Sequence, residues 1–525
     1  MQNSTNTSNT YDMKERLAIV TVVLACIACS PQKVESETFD PSVRYSRIVI
    51  DNCLYHFQAN TTKAGFAKYD ATGALVAASE SSRGFDYVPG LVAKAVLECV
   101  DLYQDSTWAA PWFYSIQAYA DTYYNNTHSG GSLDDLNACK MYFMLHDLTK
   151  SGGAFENATI ASHCETAKTK TLSGLSAHNT TYKIAAGMID GVNNANALPA
   201  PGGGTYDVTG GWWHKSSYNN QLWCDGQYMG PALLAQFVAE GSNITGSVSG
   251  DWDLIMKQFD ITWTYLWNST DKLLYHAFCA DGGTHGSSSY STHWEGLSVG
   301  SCYHSAEYWG RAEGWYVLAL VDVIEQMDKA GLSGDTRRNR LLGYLQSCAS
   351  GLLDRQDATG CWYQLLGHNG SFSVTNYYRK DGETVIKSGT KSNYLESSAT
   401  AIFAATLLKG IRLGYLDKAT YETPAKNAYK GFINQFLATS VGDGNDYALI
   451  NCCASAGLGG QSDASKYRTG SAAYYLLGYD VTKVTTYTEG KVLGAFILAA
   501  TEYERAYPPE AAGGECRCLR IGSIE

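Results

Sequence analysis

Three short runs of the chain place carboxylates, a guanidinium and indole rings directly ahead of stretches with helical spacing. They are Ser132-Leu133-Asp134-Asp135-Leu136-Asn137, Trp223-Cys224-Asp225-Gly226-Gln227-Tyr228-Met229 and Tyr308-Trp309-Gly310-Arg311-Ala312-Glu313-Gly314-Trp315-Tyr316. The first turn of a helix leaves backbone N–H groups without intrahelical partners, so ligands gather there. The plain alternative makes Asp134 or Asp135, and Asp225, ordinary N-caps and buries Trp223 and Trp315 as core. Against it stands the company these residues keep. Two carboxylates and one guanidinium among tryptophans are the chemistry of a site for an acidic sugar: acids for hydroxyls and protons, a planar fork for a carboxylate, rings for the sugar face. Lys215, after Gly210-Gly211-Trp212-Trp213-His214, is a candidate anion contact or an exposed surface lysine. His276, in Leu273-Leu274-Tyr275-His276, is either a site residue or a structural partner for a helix C-terminus. His293 and His304 lie nearby, at spacings that match no metal motif.

Helices must position these residues. In the stretch 88–104, Val92, Val96, Cys99 and Tyr103 recur at i, i+4, i+7 and i+11, widened by Leu91, Ala95 and Leu102, the stripe of a core-facing helix. Comparable stretches run over 45–59, 112–125, 134–149, 226–240, 251–268, 310–330, 335–354, 394–414, 418–438 and 489–505, with Gly-, Ser-, Asn- and Asp-rich connectors between them. Helical hairpins without a fixed repeat predict a closed toroid rather than a solenoid. The expected fold is all-α, an (α/α)6 six-hairpin barrel over 45–507. Its twelfth helix falls at 153–172, inside a polar insertion that runs to about 210 and holds Pro199-Ala200-Pro201-Gly202-Gly203-Gly204. The stretch 363–388 reads as strands or loops beside the barrel, and 508–525 as a tail.

Composition narrows the partners. The chain has 525 residues, 39 basic and 51 acidic, for a net charge of −12, and no basic run able to follow a phosphate backbone, so nucleic acid is excluded as a partner. Lys14, Glu15 and Arg16 precede an apolar run at 17–28, which is too short to span a bilayer. It ends in Ala25-Cys26-Ile27-Ala28-Cys29-Ser30, so 1–29 reads as an export segment of signal or lipoprotein type and 30–44 as a linker. The expected protein is exported, periplasmic or cell-surface in a bacterium and secreted otherwise. It is monomeric, and any membrane attachment runs through an N-terminal lipid alone. The fifteen cysteines are scattered and hold no pair of zinc-type CxxC motifs in the mature region.

In this order the motifs resemble the unsaturated rhamnogalacturonyl hydrolases of glycoside hydrolase family 105, related to the unsaturated glucuronyl hydrolases of family 88. The resemblance spans about 45–507. It is carried by Phe85-Asp86-Tyr87-Val88-Pro89-Gly90-Leu91, Ser132-Leu133-Asp134, Gly211-Trp212-Trp213-His214-Lys215, Trp223-Cys224-Asp225-Gly226, Leu274-Tyr275-His276 and Trp309-Gly310-Arg311 with Gly314-Trp315-Tyr316. It continues through Trp362-Tyr363-Gln364, Asn393-Tyr394-Leu395-Glu396-Ser397-Ser398 and Thr488-Glu489-Gly490-Lys491-Val492-Leu493-Gly494. It departs at Gln227, where the family usually has Leu, near Asn219 or Asn220, where a Pro is usual, and in the longer 153–210 segment, all of which bear on substrate choice. The resemblance implies that Asp225 is the general acid and base, that Asp134 supports it, and that Tyr87, Lys215, Trp223, His276, Arg311 and Trp315 line the subsite for an unsaturated uronic acid. By charge, Lys215 or Arg311 faces the sugar's carboxylate. The implied reaction hydrates an enol ether without metal or organic cofactor, on unsaturated uronyl oligosaccharides made by pectin-type lyases. Alternatives are the same chemistry on ulvan or glycosaminoglycan fragments, and a non-catalytic glycan-binding lipoprotein.

A targeting segment contributes nothing to a barrel core. A chain beginning near Ser30 should therefore be soluble and fully active, with an unchanged melting temperature; loss of folding on that deletion makes 17–28 a core helix instead.

Overall fold

The computed structural model describes residues 35–60, 62–79, 84–104, 107–186, 208–280, 298–299, 302–378, 385–439, 446–459, 468–485 and 487–508. The expected export segment at 1–29, all but the first residue of the tail at 508–525, His293 and the Pro/Gly run 199–204 lie outside the described residues. In chain order the α-helices are α1 (Tyr45–Cys53), α2 (Tyr87–Tyr103), α3 (Ala109–Tyr123), α4 (Leu133–Asn137), α5 (Met141–Thr149), α6 (Ala158–Thr181), α7 (Cys224–Met229), α8 (Pro231–Ala239), α9 (Val248–Leu266), α10 (Gly310–Lys329), α11 (Thr336–Leu353), α12 (Ser397–Arg412), α13 (Lys418–Phe436), α14 (Ala472–Leu477) and α15 (Gly490–Ala506).

Two patterns of apolar residues sort these helices into two rings. Every residue of α10 from Gly310 to Ile324 is buried, and so is every residue of α12 from Ser397 to Leu408; helices buried all round belong inside. In α13, by contrast, Tyr421, Ala425, Ala428, Tyr429, Phe432, Ile433 and Phe436 form one stripe, as a helix with one wet face requires. The inner ring is α2, α4 with α5, α7 with α8, α10, α12 and α15. Each packs on the next, and α15 closes on α2. Outside them lie α1, α3, α6, α9, α11 and α13, one against each inner member. This is the six-hairpin (α/α)6 barrel, and all six inner N-termini open at the same mouth.

The boundaries differ from expectation where local chemistry intervenes. The twelfth helix, α6, starts at Ala158 rather than 153, because Asn157 caps it by accepting from the Thr159 and Ile160 N–H groups, and it runs on to Thr181. The stretch 134–149 is two helices joined by a 3-10 turn at Ala138–Lys140, and 226–240 is broken at Gly230, where Pro231 brings no N–H to continue the ladder. Helix α1 stops at Cys53, short of 59, since Phe57–Ala59 pairs with Thr62–Ala64 as a hairpin. Within 363–388, strands form at Ser373–Tyr378 and at Val385–Ser392, which pair as an antiparallel ribbon. Ten described cysteines are buried free thiols, and no described helix is long and apolar enough to cross a membrane.

Glycine sets the closest helix contact near the mouth. A Cβ on Gly90 of α2 would lie 2.4 Å from the Cα of Ala138, backbone that cannot rotate away. The Gly90→Ala variant gains about 1 kcal/mol of helix propensity but must push α2 off the turn after α4, an overpacking cost of about 1–3 kcal/mol. Its melting temperature should fall, with activity falling alongside, because Tyr87 and Asp134 flank the contact. An unchanged or raised melting temperature refutes this packing.

Candidate active site

The loops and first turns at the mouth enclose a cavity of about 170 Å³, lined by Asn60, Asp86, Tyr87, Asp134, Asp135, His214, Lys215, Tyr218, Trp223, Asp225, Met229, Ser455, Ala456 and Arg468. Neither central carboxylate is an N-cap. At α4 the cap is Ser132, whose Oγ accepts from the Asp135 N–H at 3.4 Å, which leaves the Asp134 carboxylate to other partners. At α7 the cap position is Trp223, which offers no side-chain acceptor, so Asp225 is not drawn back onto its own backbone.

The segment after Trp213 supplies the partners of Asp134. Its backbone zips against the start of α4, with the Leu133 N–H donating to the His214 carbonyl and the Ser216 N–H to that of Gly131. That register sets His214 Nε2 at 3.1 Å and Lys215 Nζ at 2.6 Å from the two oxygens of Asp134. Burial opposes ionisation of Asp134, but the Lys215 ammonium and His214 outweigh it and hold the carboxyl well below its ordinary range. The same carboxylate, against the opposition of burial, holds Lys215 above the usual lysine range. Burial, with Asp134 nearby, also pushes the Tyr87 phenol well up.

Asp225 has different surroundings. Its Oδ2 is buried and makes no hydrogen bond; the nearest cation-forming group is His276 Nε2 at 3.3 Å, outside hydrogen-bond alignment. His276 is fully buried and fixed from three sides: its N–H donates to Ser305 Oγ at 2.9 Å, its carbonyl accepts from the Cys224 N–H at 3.0 Å, and Nδ1 meets the Tyr475 hydroxyl at 2.8 Å. Burial lowers its pKa, although Asp225 pulls the other way, so a neutral imidazole faces the carboxyl. Beside them the His214, Tyr218 and Trp223 rings stack near-parallel, with Tyr218 and Trp223 centroids 5.0 Å apart at 5°, and this stack walls one side of the cavity.

Asp134, Asp225, Tyr87, Lys215 and Trp223 therefore meet at one cavity, and His276 stands directly behind Asp225. Arg311 and Trp315 do not line it. Arg311 is 1% exposed, with Nη1 on Ser398 Oγ at 3.1 Å and on the Cys453 carbonyl, and its guanidinium over Trp309; Trp315 stacks on Tyr228 inside the barrel. Gln227 turns away, donating to Thr262 of α9 at 2.9 Å. Asn220 has φ 58°, a conformation open to Asn and closed to the proline usual near this position. Sequence reasoning gave no role to Asn60, Asp86, His214, Tyr218, Ser455 or Arg468. Of these, His214 and Asp86 carried a signal, through their places beside Lys215 in the tryptophan-rich run and beside Tyr87. A larger cavity, about 410 Å³, lies at the other mouth, but ion pairs cross it, Lys409 with Asp322 and Glu325 and Arg412 with Glu502. It has no stacked ring wall. Among the described residues no group of three or more His, Cys, Asp or Glu could hold a metal.

Residues 205–376 and 368–507 match the model of Glycosyl Hydrolase Family 88. The chain belongs to this family. It is a glycosidase, similar to Protein Atu3128 of Agrobacterium fabrum (strain C58), with 30% identity over 202 residues that cover 38% of this chain and 72% of that protein. A C. acetobutylicum ATCC 824 glycoside hydrolase from family 105 superposes with TM-score 0.57 and 28% identity, covering 81% of this chain and 94% of that one. A possible family 105 member from Salmonella enterica shares the fold, with TM-score 0.52 at 17% identity, over 90% and 96% of the two chains.

Behind the site, Glu313 of α10 is fully buried and accepts the Leu274 N–H at 2.7 Å, two residues before His276. Burial pushes its pKa up from 4.5 to about 8. A raised acid stabilises the fold fully below the unfolded pKa, and that contribution is lost as pH rises through the folded value. The stability of this glycosidase relative to its Glu313→Gln variant should therefore fall between pH 4.5 and 8, with a slope approaching ~1.4 kcal/mol per pH unit. Parallel denaturation profiles across that window refute a neutral Glu313.

Proposed function

We propose that this glycosidase releases the Δ4,5-unsaturated uronic acid from the non-reducing end of lyase-generated oligosaccharides, with rhamnogalacturonan fragments of pectin as its substrates. The observation that carries the reading is the contrast between two carboxyl groups on adjacent inner helices. Asp134 is compensated by Lys215 and His214 and stays an anion. Asp225 faces a neutral imidazole, with one oxygen free of hydrogen bonds. Two carboxyls with such unlike partners can divide the labour of acid and base.

In this reading Asp225 delivers its proton to C4 of the C4–C5 double bond. Positive charge develops at C5 and the ring oxygen, and water adds at C5 as the Asp225 carboxylate takes up its proton. The resulting hemiketal opens and the reducing partner is released. Proton transfer and hydration balance without metal or redox chemistry, and Asp225 is regenerated. Asp134, with its charge fixed, holds sugar hydroxyls, Trp223 and Tyr218 offer the ring wall, and His276 positions Asp225. The order of motifs from Tyr87 to Trp315 supports rhamnogalacturonan as parent polymer, and the apolar run at 17–28 supports action outside the cytoplasm on fragments that lyases supply.

The test pairs substrates with one variant. Loss of the ultraviolet absorbance of the double bond should be fastest on lyase-digested rhamnogalacturonan, compared with digests of homogalacturonan, ulvan and glycosaminoglycan, and the saturated counterpart should stay intact. Asp225→Asn keeps the shape and removes the proton, so kcat should fall at least about 10²–10⁴-fold while stability changes by about 1 kcal/mol or less. Normal turnover by this variant, or efficient cleavage of the saturated sugar, points to displacement at the anomeric carbon instead; binding without turnover on every digest points to glycan capture.

A further inference from the structure

A uronyl ring brings a carboxylate into the cavity, and the structure leaves one guanidinium there to meet it. We propose that Arg468, which the sequence did not single out, is the specificity-determining cation that receives the uronate carboxylate. This rests on the uronyl-hydrolase reading and deepens it.

Of the lysine and arginine side chains among the described residues, only Lys215 and Arg468 line the cavity. Lys215 is already bound to Asp134 at 2.6 Å; drawing it away would uncover a buried carboxylate. Arg311 lies off the cavity, with its guanidinium over the Trp309 ring. Arg468 is 7% exposed, and the closest carboxylate oxygen to its Nη1, on Asp480, is 3.8 Å away, beyond hydrogen-bond reach. Asp480 itself accepts from the Tyr474 hydroxyl at 3.0 Å, and burial pushes its pKa up, which weakens it as a counter-charge. Its other contacts are to the Tyr218 hydroxyl and to the backbone carbonyls of Gly459 and Leu458, both long at 3.4 Å. A guanidinium has five N–H donors, and these contacts leave the strong bidentate interaction with a carboxylate unmade.

The surrounding chain is shaped to seat this side chain. A Cβ at Gly457 would stand 2.1 Å from Arg468 Nη1, so only glycine admits the guanidinium there. Gly470, two residues on, has φ 76°. The Thr469 N–H donates to the Tyr377 hydroxyl at 3.4 Å, which ties the Arg468 backbone to the Ser373–Tyr378 strand. The guanidinium lies 6.0 Å from the Tyr218 ring centroid, so it borders the same aromatic wall that continues to Trp223 above Asp225. A cavity of about 170 Å³ is below the roughly 300–1,000 Å³ of sites for drug-sized ligands and suits one ring, its carboxylate on Arg468 and its double bond by Asp225.

The experiment compares an unsaturated uronyl disaccharide with its methyl ester, which keeps the double bond and removes the charge. Wild type should prefer the acid. In Arg468→Ala, KM for the acid should rise about 10- to 1,000-fold, far more than for the ester, so that discrimination collapses. Arg468→Lys should restore the preference in part, since an ammonium lacks the planar fork. It also serves if the alanine variant does not fold, because a folded lysine variant must still raise KM for the acid more than for the ester. Undiminished preference for the acid in a folded Arg468 variant overturns the proposal and returns the role to Lys215. Failure of wild type to turn over either substrate overturns the uronyl-hydrolase reading itself.

Discussion

Six helix N-termini opening at one mouth of a closed ring concentrate unpaired N–H groups and the positive ends of six helix dipoles in a small space. That excess demands carboxylates, and the structure meets it in two ways. Asp86, Glu396 and Glu489 fold back as caps of α2, α12 and α15. At α4 and α7 the cap is Ser132 or the side-chain-silent Trp223, and there Asp134 and Asp225 face the cavity instead. A serine and a tryptophan at cap positions thus free two acids for chemistry, and everything around them fixes how those acids differ.

The fixing runs outward in layers. Lys215 and His214 reach Asp134 because their strand-like segment is registered against the start of α4. His276 reaches Asp225 because its segment is held by Ser305, by the Cys224 N–H and by Glu313 through Leu274. Arg311 works one layer deeper: it joins α10 to Ser398 of α12 and to the Cys453 carbonyl, while Glu396 accepts the Cys453 N–H at 2.8 Å. The ion pairs at the far mouth link α10 to α12 through Lys409 and Asp322, and α12 to α15 through Arg412 and Glu502. The ring is held at both ends, which lets the functional mouth keep Asp225 without a lysine or arginine beside it.

Much of this was legible in the sequence because helices announce themselves by spacing. The stripes gave eleven helices and the hairpin count called for a twelfth at 153–172, while the clusters before α4 and α7 gave both acids and Trp223, and the tryptophan-rich run gave Lys215. What periodicity cannot report is the direction of a side chain at a helix start. Arg311 and Trp315 sit in the richest motif of the chain, yet one turn of α10 carries them beneath the floor of the cavity. Tyr218 and Arg468 lie on irregular segments, where neither spacing nor composition separates a wall residue from a surface one. The break at Gly230 was written in the Gly-Pro pair, whereas the 3-10 turn at Ala138–Lys140 had no marker in residue type.

The central claim is that Asp225, set apart from its compensated neighbour Asp134, delivers a proton to carbon. Turnover of an unsaturated uronyl disaccharide in D2O, followed by NMR at the earliest time points, tests it most directly. The account predicts one deuteron at C4 of the released 4-deoxy-5-keto acid, placed on a single face. Release of the uronic acid with its C4–C5 double bond intact and no deuterium at C4 would contradict it.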